Sequence, residues 1–214
     1  MSDDLILSQR RDASLTVTLN RPAKANAVTS QMLIGLRDIF RAAAGDDGLR
    51  AVTLTGAGDR VFCAGADLAT LHDDTAGPDL WTEMAEALHA IPVLTMAAIN
   101  GPCMGGGLTL ALGCDIRVSV PEARFAYPVL GNGVLPGQYD VDRLRALVGP
   151  GRAAALLLGG DTVGAADAAL WGLVDRIATR DALQETCHSL CATAEAADGG
   201  HLKALKSMLR RAAR

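Results

Sequence analysis

Two loops rich in glycine and alanine carry the residues best suited to chemistry in this 214-residue chain. One contains Cys63-Ala64-Gly65-Ala66-Asp67, and the other contains the glycine trio Gly105 to Gly107. A glycine trio at the start of a helix points free N–H groups at whatever lies there, and the helix dipole favours negative charge at that end. Two such N–H groups from separate loops could hold an oxygen that becomes an anion during a reaction. The spacing fits a purely structural role equally well, in which the trio only lets a helix pack closely on a strand.

The sequence lacks the glycine motifs that bind nucleotides. No G-x-G-x-x-G precedes a helix with an acidic residue about twenty positions later, and no G-x-x-x-x-G-K-[ST] is present. The five cysteines are irregularly spaced and odd in number. Cys187 and Cys191 stand four apart with His188 between them, but no second pair completes a metal site, which favours small buried thiols. We expect no metal.

The elements that position the two loops follow an α/β order. Leu15 to Leu19 alternates as a half-buried strand does, and Thr29 or Ser30 is placed to cap the helix that follows. The periodicity predicts further strands at 51–55, 93–99, 116–120 and 124–126. It predicts further helices at 80–89, 105–112, 141–147, 152–158, 165–171 and 181–196, then a final amphipathic stretch.

Composition excludes several classes of protein. Half of the residues are hydrophobic and the net charge is −4, which argues against disorder and against attraction to nucleic acid or anionic membranes. Aromatic residues make up only 3%, too few for a base-stacking platform. The acidic N-terminus does not read as a signal peptide, and the apolar run near 91–99 is about half a membrane span. We expect a cytoplasmic protein without membrane partners.

Several ordered blocks resemble the enoyl-CoA hydratase/isomerase (crotonase) superfamily. They span about residues 15 to 180, and their number and order make the resemblance specific. The blocks are Asn20-Arg21-Pro22 with Lys24 and Asn26-Ala27, Leu54-Thr55-Gly56 through Phe62 to Leu68, Ala98 to Pro102 with Gly105 to Gly107, Cys114 to Arg117, Ala123 to Phe125, and Trp171 to Val174.

The resemblance implies an α/β fold, a crotonase-like spiral of ββα turns, with a homotrimer or a hexamer as the usual assembly. The spiral core would span 1–180 and a helical segment 181–214, a shortened C-terminal region relative to the family. The implied ligand is an acyl-CoA thioester, with no cofactor beyond its coenzyme A moiety and with fatty acid metabolism as the setting. By position, the backbone N–H groups of Ala66 and Gly106 would form the oxyanion hole.

The resemblance also implies where coenzyme A binds. The adenine and pantetheine would lie against two short segments, Lys24 to Ala27 and the first glycine-rich loop itself, Ala64 to Asp67. The implied contact residues are Lys24, Ala25, Ala27, Ala64, Ala66, Asp67 and Leu68.

The sequence departs from the family at the acid–base positions. Relatives with hydratase activity carry two glutamates, and the matching residues here are Thr109 and Val129. A third position, which holds an aspartate or tyrosine in other members, is Gly137. General acid–base groups contribute roughly 10²–10⁴ each to rate, so ordinary hydration is not expected.

Three polar residues remain as candidates for proton transfer. Asp140 is one, but its spacing favours a helix N-cap. Tyr139 could donate a proton to an enolate, with packing an equal alternative. Thr109 could bind water or substrate, although a threonine in a helix more often bonds to its own helix.

Two functions stay open from the sequence. The first is an acyl-CoA enzyme of the lyase or isomerase class that stabilises a thioester enolate and catalyses a reaction other than hydration. The alternative is a non-catalytic acyl-CoA-binding or assembly protein with a degenerate site. The intact Ala66 and Gly106 loops favour the enzyme, whereas Thr109 and Val129 favour the binding protein.

Overall fold

The computed structural model describes residues 4–67 and 79–211, which form two sheets surrounded by helices. The larger sheet has six strands in the order β1-β2-β3-β4-β6-β9. The smaller sheet has three strands in the order β5-β7-β8. The strands are β1 (Ile6–Arg11), β2 (Ser14–Leu19), β3 (Ala51–Gly56), β4 (Leu94–Ile99), β5 (Cys103–Met104), β6 (Ile116–Ser119), β7 (Arg124–Ala126), β8 (Thr162–Gly164) and β9 (Arg176–Ile177).

Most strand pairs of the larger sheet are parallel. Only β1 and β2 form an antiparallel hairpin, and β2, β3, β4, β6 and β9 then pair in parallel. The middle strands are buried almost throughout, as parallel strands covered on both faces must be. The first glycine-rich loop follows the carboxyl end of β3, and the second follows the carboxyl end of β4.

The helices lie between and after these strands. They are α1 (Ser30–Gly45), α2 (Asp79–Ala90), α3 (Gly106–Gly113), α4 (Gln138–Val148), α5 (Pro150–Leu157), α6 (Ala165–Trp171), α7 (Leu183–Ala196) and α8 (Gly199–Arg211). Short 3-10 turns occupy Pro22–Lys24 and Arg180–Ala182. Helix α7 packs on β3, β4 and β6, so the C-terminal helices complete the core.

The ββα spiral expected from the resemblance is confirmed. Strand β4 joins the larger sheet, β5 joins the smaller one, and α3 follows; β6, β7 and α4 repeat this order. Strand β3 begins an equivalent turn, because Cys63 after it forms a parallel bridge to Cys103 of β5. Each turn of the spiral thus adds one strand to each sheet.

Most of the predicted elements are present with shifted ends. Thr29 caps α1 as predicted, because its side chain accepts a hydrogen bond from Met32 N at 3.2 Å. The predicted strand at 124–126 and the helix at 165–171 have the bounds expected. Helix α4 begins at Gln138, three residues before the predicted start at Val141, and this shift changes the environment of Tyr139 and Asp140.

A buried lysine ties the last helix to the larger sheet. Lys206 of α8 is 5% exposed and donates to Val93 O, and its Nζ lies 2.8 Å from Asp115 Oδ2. Asp115 also accepts hydrogen bonds from Thr95 N at 2.8 Å and from Thr95 Oγ1 at 2.9 Å. The ammonium group and the two Thr95 donors together compensate the carboxylate of Asp115, which fits a structural role.

All five cysteines are buried free thiols. Burial raises the pKa of Cys63 and that of Cys114 to about 12, so these thiols stay protonated and pack as small apolar groups. In the described ranges, no helix is long and apolar enough to cross a membrane.

Candidate active site

A buried asparagine shapes the first glycine-rich loop. Asn26 is 1% exposed, and its Nδ2 donates to Ala57 O at 3.0 Å and to Val61 O at 2.8 Å. Its Oδ1 accepts from Arg21 N at 3.0 Å. The Asn26 side chain thus satisfies one backbone N–H group in the segment after β2 and two backbone carbonyl groups in the loop after β3, and so joins the two.

Main-chain hydrogen bonds continue this junction to the end of the loop. Ala64 N donates to Ala25 O at 3.0 Å, and Val28 N donates to Gly65 O at 2.8 Å. Asp67 N then donates to Val28 O at 2.8 Å. The two segments in which the resemblance implies coenzyme A contacts, 24–27 and 64–67, thus lie side by side.

The second glycine-rich loop is bonded directly to the first. Met104 N donates to Cys63 O at 2.9 Å. Gly65 adopts φ +102°, and a Cβ there would lie 3.1 Å from Met104 O and 3.3 Å from Gly106 N. Only glycine combines this backbone conformation with such a close approach, so Gly65 lets the two loops touch through their main chains.

Ala66 N, Gly106 N and Gly107 N at this contact have no acceptor among the residues that the structure describes, and the first two are the donors that the resemblance implies. Ala66 N donates to none, although its neighbours on both sides bond to Val28. Gly106 N is the first amide of α3 and has no intrahelical partner there, since Gly105 N bonds to Ala126 O and Leu108 N to Gly105 O. The geometry thus presents both implied donors unpaired and from adjacent loops, the second with the dipole of α3 behind it.

The start of α3 is tightly packed. A Cβ at Gly107 would lie 2.7 Å from Cys63 O and 2.8 Å from Cys63 Cβ. The indole of Trp81, from α2, lies over the Cα of Gly106, where a Cβ would overlap it. Trp81 is only partly buried, so it forms one wall beside the Gly106 amide.

One helical turn beyond Gly106, three buried oxygen-bearing side chains meet. Thr109 Oγ1 donates to Asp140 Oδ2 at 2.7 Å, and Tyr127 OH donates to the same oxygen at 2.6 Å. The two hydroxyl oxygens are 2.8 Å apart. Thr109 lies on α3, Tyr127 directly follows β7, and Asp140 lies in the first turn of α4. We call these three residues the hydroxyl–carboxylate cluster.

Burial dominates the electrostatics of this cluster. Asp140 is 3% exposed, and the resulting desolvation raises its pKa above the ordinary value, although hydrogen bonds from Tyr127 and Thr109 act in the opposite direction. Burial likewise raises the pKa of Tyr127, and the neighbouring carboxyl of Asp140 adds to this shift. Tyr127 therefore stays a hydroxyl donor across the physiological pH range.

Two expectations about these residues are wrong. Asp140 is not the N-cap of α4, because Gly137 holds that position and Asp140 turns inward from the first turn. Thr109 Oγ1 does not bond to its own helix but to Tyr127 and Asp140. Tyr127 was not among the predicted site residues. Its phenol lies within a buried apolar run, and a buried tyrosine hydroxyl usually has a polar hydrogen-bond partner.

The remaining acid–base candidates lie apart from the cluster. Tyr139 OH is 2.8 Å from His89 Nδ1 and their rings are 4.5 Å apart, so this side chain faces the end of α2. Burial raises the pKa of Tyr139 and lowers that of His89. Val129 is 8% exposed, and Gly137 caps α4, so neither offers a proton.

The residues that the resemblance assigns to coenzyme A contact have varied surroundings. Lys24 and Ala64 are exposed, and Ala27 O accepts a hydrogen bond from Arg21 Nη1 at 2.6 Å. Asp67 Oδ2 lies 2.9 Å from Arg21 Nη2 in an ion pair. Leu68 lies outside the described residues.

No group of three or more His, Cys, Asp or Glu side chains placed to hold a metal ion is present in residues 4–67 and 79–211.

Comparison with known proteins identifies relatives of the whole spiral. Residues 10–214 match the family model described as enoyl-CoA hydratase/isomerase. A protein of Mycobacterium tuberculosis named "Probable enoyl-CoA hydratase echA6" is 42% identical over 168 residues, 78% of this chain and 68% of its own length. A crotonyl-CoA hydratase of Syntrophomonas wolfei is 32% identical over 182 residues, 83% of this chain and 70% of its own length.

Solved structures show the same likeness. An enoyl-CoA hydratase/carnithine racemase from Magnetospirillum magneticum superimposes with a TM-score of 0.90 at 31% identity, covering 100% of this chain and 82% of that one. DspI of Pseudomonas aeruginosa gives a TM-score of 0.90 at 30% identity, covering 99% and 83% of the two chains.

Proposed function

Because this chain belongs to the enoyl-CoA hydratase/isomerase family, we propose that it binds an acyl-CoA thioester and stabilises negative charge on the thioester oxygen. Ala66 and Gly106 donate their N–H groups to that oxygen. The observation that carries the proposal is that these two amides have no acceptor among the described residues, whereas Cys63 N, Ala64 N, Asp67 N, Met104 N and Gly105 N around them are all bonded. One such donor is worth roughly 10²–10³ in rate, because it is fixed before the charge develops.

The reaction is one that passes through a thioester enolate but does not add water across a double bond. Hydration needs one group to activate water and one to deliver a proton to carbon. Val129 is apolar, and Thr109 Oγ1 is committed to Asp140 and Tyr127. Isomerisation or decarboxylation needs only one group to move a proton at the α carbon, which supports an enzyme of the isomerase or lyase class.

The coenzyme A moiety lies along the junction of segments 24–27 and 64–67. Its backbone contacts come from the alanines of both segments, and Lys24 is placed to meet a phosphate from solvent. The unpaired buried thiols suit a reducing compartment, so we place the reaction in the cytoplasm.

We also propose a homotrimer or a dimer of trimers. Large apolar side chains on several elements remain uncovered in the single chain, and covering them would stabilise an assembly. They are Leu130, Leu135, Leu158, Leu170, Leu205, Met208 and Leu209. Sedimentation of the purified protein gives the number of subunits.

A panel of acyl-CoA thioesters followed by mass spectrometry tests the proposed reaction. Saturated, enoyl, hydroxyacyl and malonyl-type thioesters are incubated with the enzyme, and any product is detected by its mass. We expect turnover of an enoyl or malonyl-type thioester and only slow hydration of crotonyl-CoA. Rapid hydration of crotonyl-CoA would contradict the proposed reaction class.

An Ala66→Pro variant tests the donor itself. Proline lacks the N–H group, and no hydrogen bond within the described part of the protein is lost, because Ala66 N donates to none there. We expect turnover to fall at least about 100-fold while circular dichroism stays unchanged. Unchanged turnover in a folded variant would exclude Ala66 as a donor.

The alternative function is a non-catalytic acyl-CoA-binding protein. It is favoured by the apolar Val129 at a position where catalytic relatives carry a glutamate. Thioester binding without turnover of any panel member would support this alternative and contradict the enzyme.

A further inference from the structure

We infer that Asp140 is the catalytic group that takes a proton from, and returns it to, the α carbon of the bound thioester, and that Tyr127 and Thr109 position its carboxylate. The inference rests on the proposed function, because it needs a thioester held at the Ala66 and Gly106 amides. It goes beyond that function by naming the acid–base residue.

The cluster is attached to the same chain segments as the Gly106 donor. Thr109 lies three residues after Gly106 on α3, so both share one helix face. Tyr127 directly follows Ala126, whose carbonyl oxygen accepts from Gly105 N at 2.9 Å. Both hydroxyls that hold Asp140 are therefore fixed relative to the proposed oxyanion site by hydrogen-bonded backbone.

Only one oxygen of Asp140 is occupied by these bonds. Oδ2 accepts from both hydroxyls, and Oδ1 accepts from none of the residues that the structure describes. Among the described residues, the only fully enclosed side-chain polar atom without a partner is Arg210 Nε. Within the described residues, Oδ1 is therefore not enclosed, and we infer that it is the oxygen that meets a ligand.

Burial and hydrogen bonding shift the pKa of Asp140 in opposite directions. Burial disfavours the carboxylate, and the two hydroxyl donors stabilise it, with burial the larger effect. Among the described residues, no lysine, arginine or histidine forms an ion pair with Asp140. The titratable neighbours are Tyr127, Tyr139 on the same helix, and Cys103, which acts on Tyr127. A carboxyl with a raised pKa is suited to general acid–base catalysis near neutral pH.

The proposed step balances within the site. Asp140 Oδ1 takes the α proton, so the C–H bond breaks and an O–H bond forms. The released electron pair becomes the enolate π bond, and the charge moves to the thioester oxygen at the Ala66 and Gly106 amides. Return of the proton from Oδ1 to carbon reverses both changes, and no oxidant, reductant or metal takes part.

Hydrogen–deuterium exchange at the α carbon measures this step separately from any overall reaction. Butyryl-CoA in D2O gains mass at its α carbon if the enzyme removes and returns the proton. Binding is read independently from the fluorescence of Trp81, which lies over Gly106, in a Trp171→Phe background that removes the second tryptophan.

The Asp140→Asn variant keeps the size of the side chain but cannot carry the proton. We expect exchange to fall at least about 100-fold with unchanged butyryl-CoA binding. Asp142→Asn is the matched control, because Asp142 is exposed on the same helix and, among the described residues, its side chain bonds to Gln138 alone. We expect this control to exchange at the wild-type rate.

Tyr127→Phe and Thr109→Val test the positioning role by pH. Exchange rises with pH as Asp140 ionises, and each hydroxyl lowers the pKa of that carboxyl. Loss of either hydroxyl therefore moves the midpoint of the exchange profile to higher pH. Thr109→Ser keeps a hydroxyl and restores the wild-type midpoint, whereas a purely structural role would lower the rate without moving the midpoint.

The outcomes separate the inference from the proposed function. Exchange that persists in Asp140→Asn but is lost in Ala66→Pro overturns the inference and leaves the proposed function standing. Wild-type protein that binds butyryl-CoA without exchange also overturns the inference. Wild-type protein that binds no acyl-CoA overturns the proposed function and the inference with it.

Discussion

The site has two halves that are built in different ways. The backbone half consists of residues 63–67 and 104–107, where unpaired amides project from loops bonded through their main chains. The side-chain half is the hydroxyl–carboxylate cluster, where Thr109, Tyr127 and Asp140 come from α3, the end of β7 and α4. The first half depends on chain path and the second on three individual residue types.

This difference has a consequence for how such a fold changes its chemistry. A main-chain donor is retained under almost any substitution that keeps the loop path. A side-chain carboxyl can instead move from one helix to another, provided that its neighbours satisfy its hydrogen bonds. We therefore expect substitutions in the two halves to fail in different ways.

The largest effect is expected in the backbone half, from Gly107→Ala. The added Cβ meets Cys63 O and Cys63 Cβ, which are main-chain and near-main-chain atoms that cannot move freely. We expect a loss of about 2–3 kcal/mol in the free energy of unfolding, measured by urea titration, and loss of butyryl-CoA binding. Gly151→Ala is the control, because a Cβ there meets nothing within 4 Å. An equal, small effect of both substitutions would contradict the tight packing at α3.

A smaller effect separates the two tyrosines. Tyr127→Phe is expected to reduce exchange about 10- to 100-fold, because Asp140 loses a donor. Tyr139→Phe removes only the contact with His89 and is expected to cost about 1 kcal/mol of stability without changing exchange. If Tyr139→Phe instead abolishes exchange, the proton-transfer group belongs to the Tyr139–His89 pair.

Asp140→Asn has a predicted pH signature in stability. The pKa of Asp140 is raised on folding, so the folded protein binds this proton more tightly and wild-type stability falls as pH rises through the folded pKa. The asparagine variant lacks this dependence. We expect the two proteins to differ least below pH 3.8 and the variant to become more stable relative to wild type as the pH rises toward neutral, measured by urea titration at each pH. A constant difference across pH would show that burial does not perturb Asp140.

The smallest effect is expected at the edge of the backbone half, from Lys24→Ala. An exposed lysine that meets a phosphate contributes at most about 1 kcal/mol and is screened by salt. We therefore expect coenzyme A affinity to fall a few-fold in dilute buffer and to match wild type in concentrated salt. Lys203→Ala is the control, because Lys203 pairs with exposed Asp47. Identical affinity of both variants at low salt would remove Lys24 from the binding site.

The backbone half could be predicted from the sequence because its signals are local. Glycine at 65 and at 105–107 permits the backbone conformations and close approach that these loops need, and the family resemblance implies which amides would face a thioester oxygen. The element order and the Thr29 cap depend on equally local patterns. Strand β1 was not predicted, because it is mostly exposed and shows no apolar alternation. Strands β5, β8 and β9 were not predicted either, and each has only two or three residues.

The side-chain half could not be predicted because its partners are distant in sequence. Tyr127 and Asp140 are 13 residues apart, and Thr109 and Asp140 are 31 apart. The start of α4 also decides which way Asp140 faces, and Gly137 caps that helix without a side-chain hydrogen bond that would mark it. Because the start of α4 was predicted three residues too late, Asp140 was interpreted as the N-cap, whereas its carboxyl in fact points inward from the first turn.

The bond between Lys206 and the larger sheet has a consequence for the order in which the protein is made. Strands β4 and β6 are synthesised early, together with Asp115, which lies between them. The ammonium group that pairs with Asp115 belongs to Lys206 of α8, which follows Thr95 of β4 by 111 residues. Both glycine-rich loops and the whole hydroxyl–carboxylate cluster are therefore synthesised before the Asp115 carboxylate of the larger sheet gains its ion-pair partner. A premature stop codon between residues 178 and 206 would release a chain with every proposed site residue and every strand present, but with Asp115 lacking the ammonium group of Lys206.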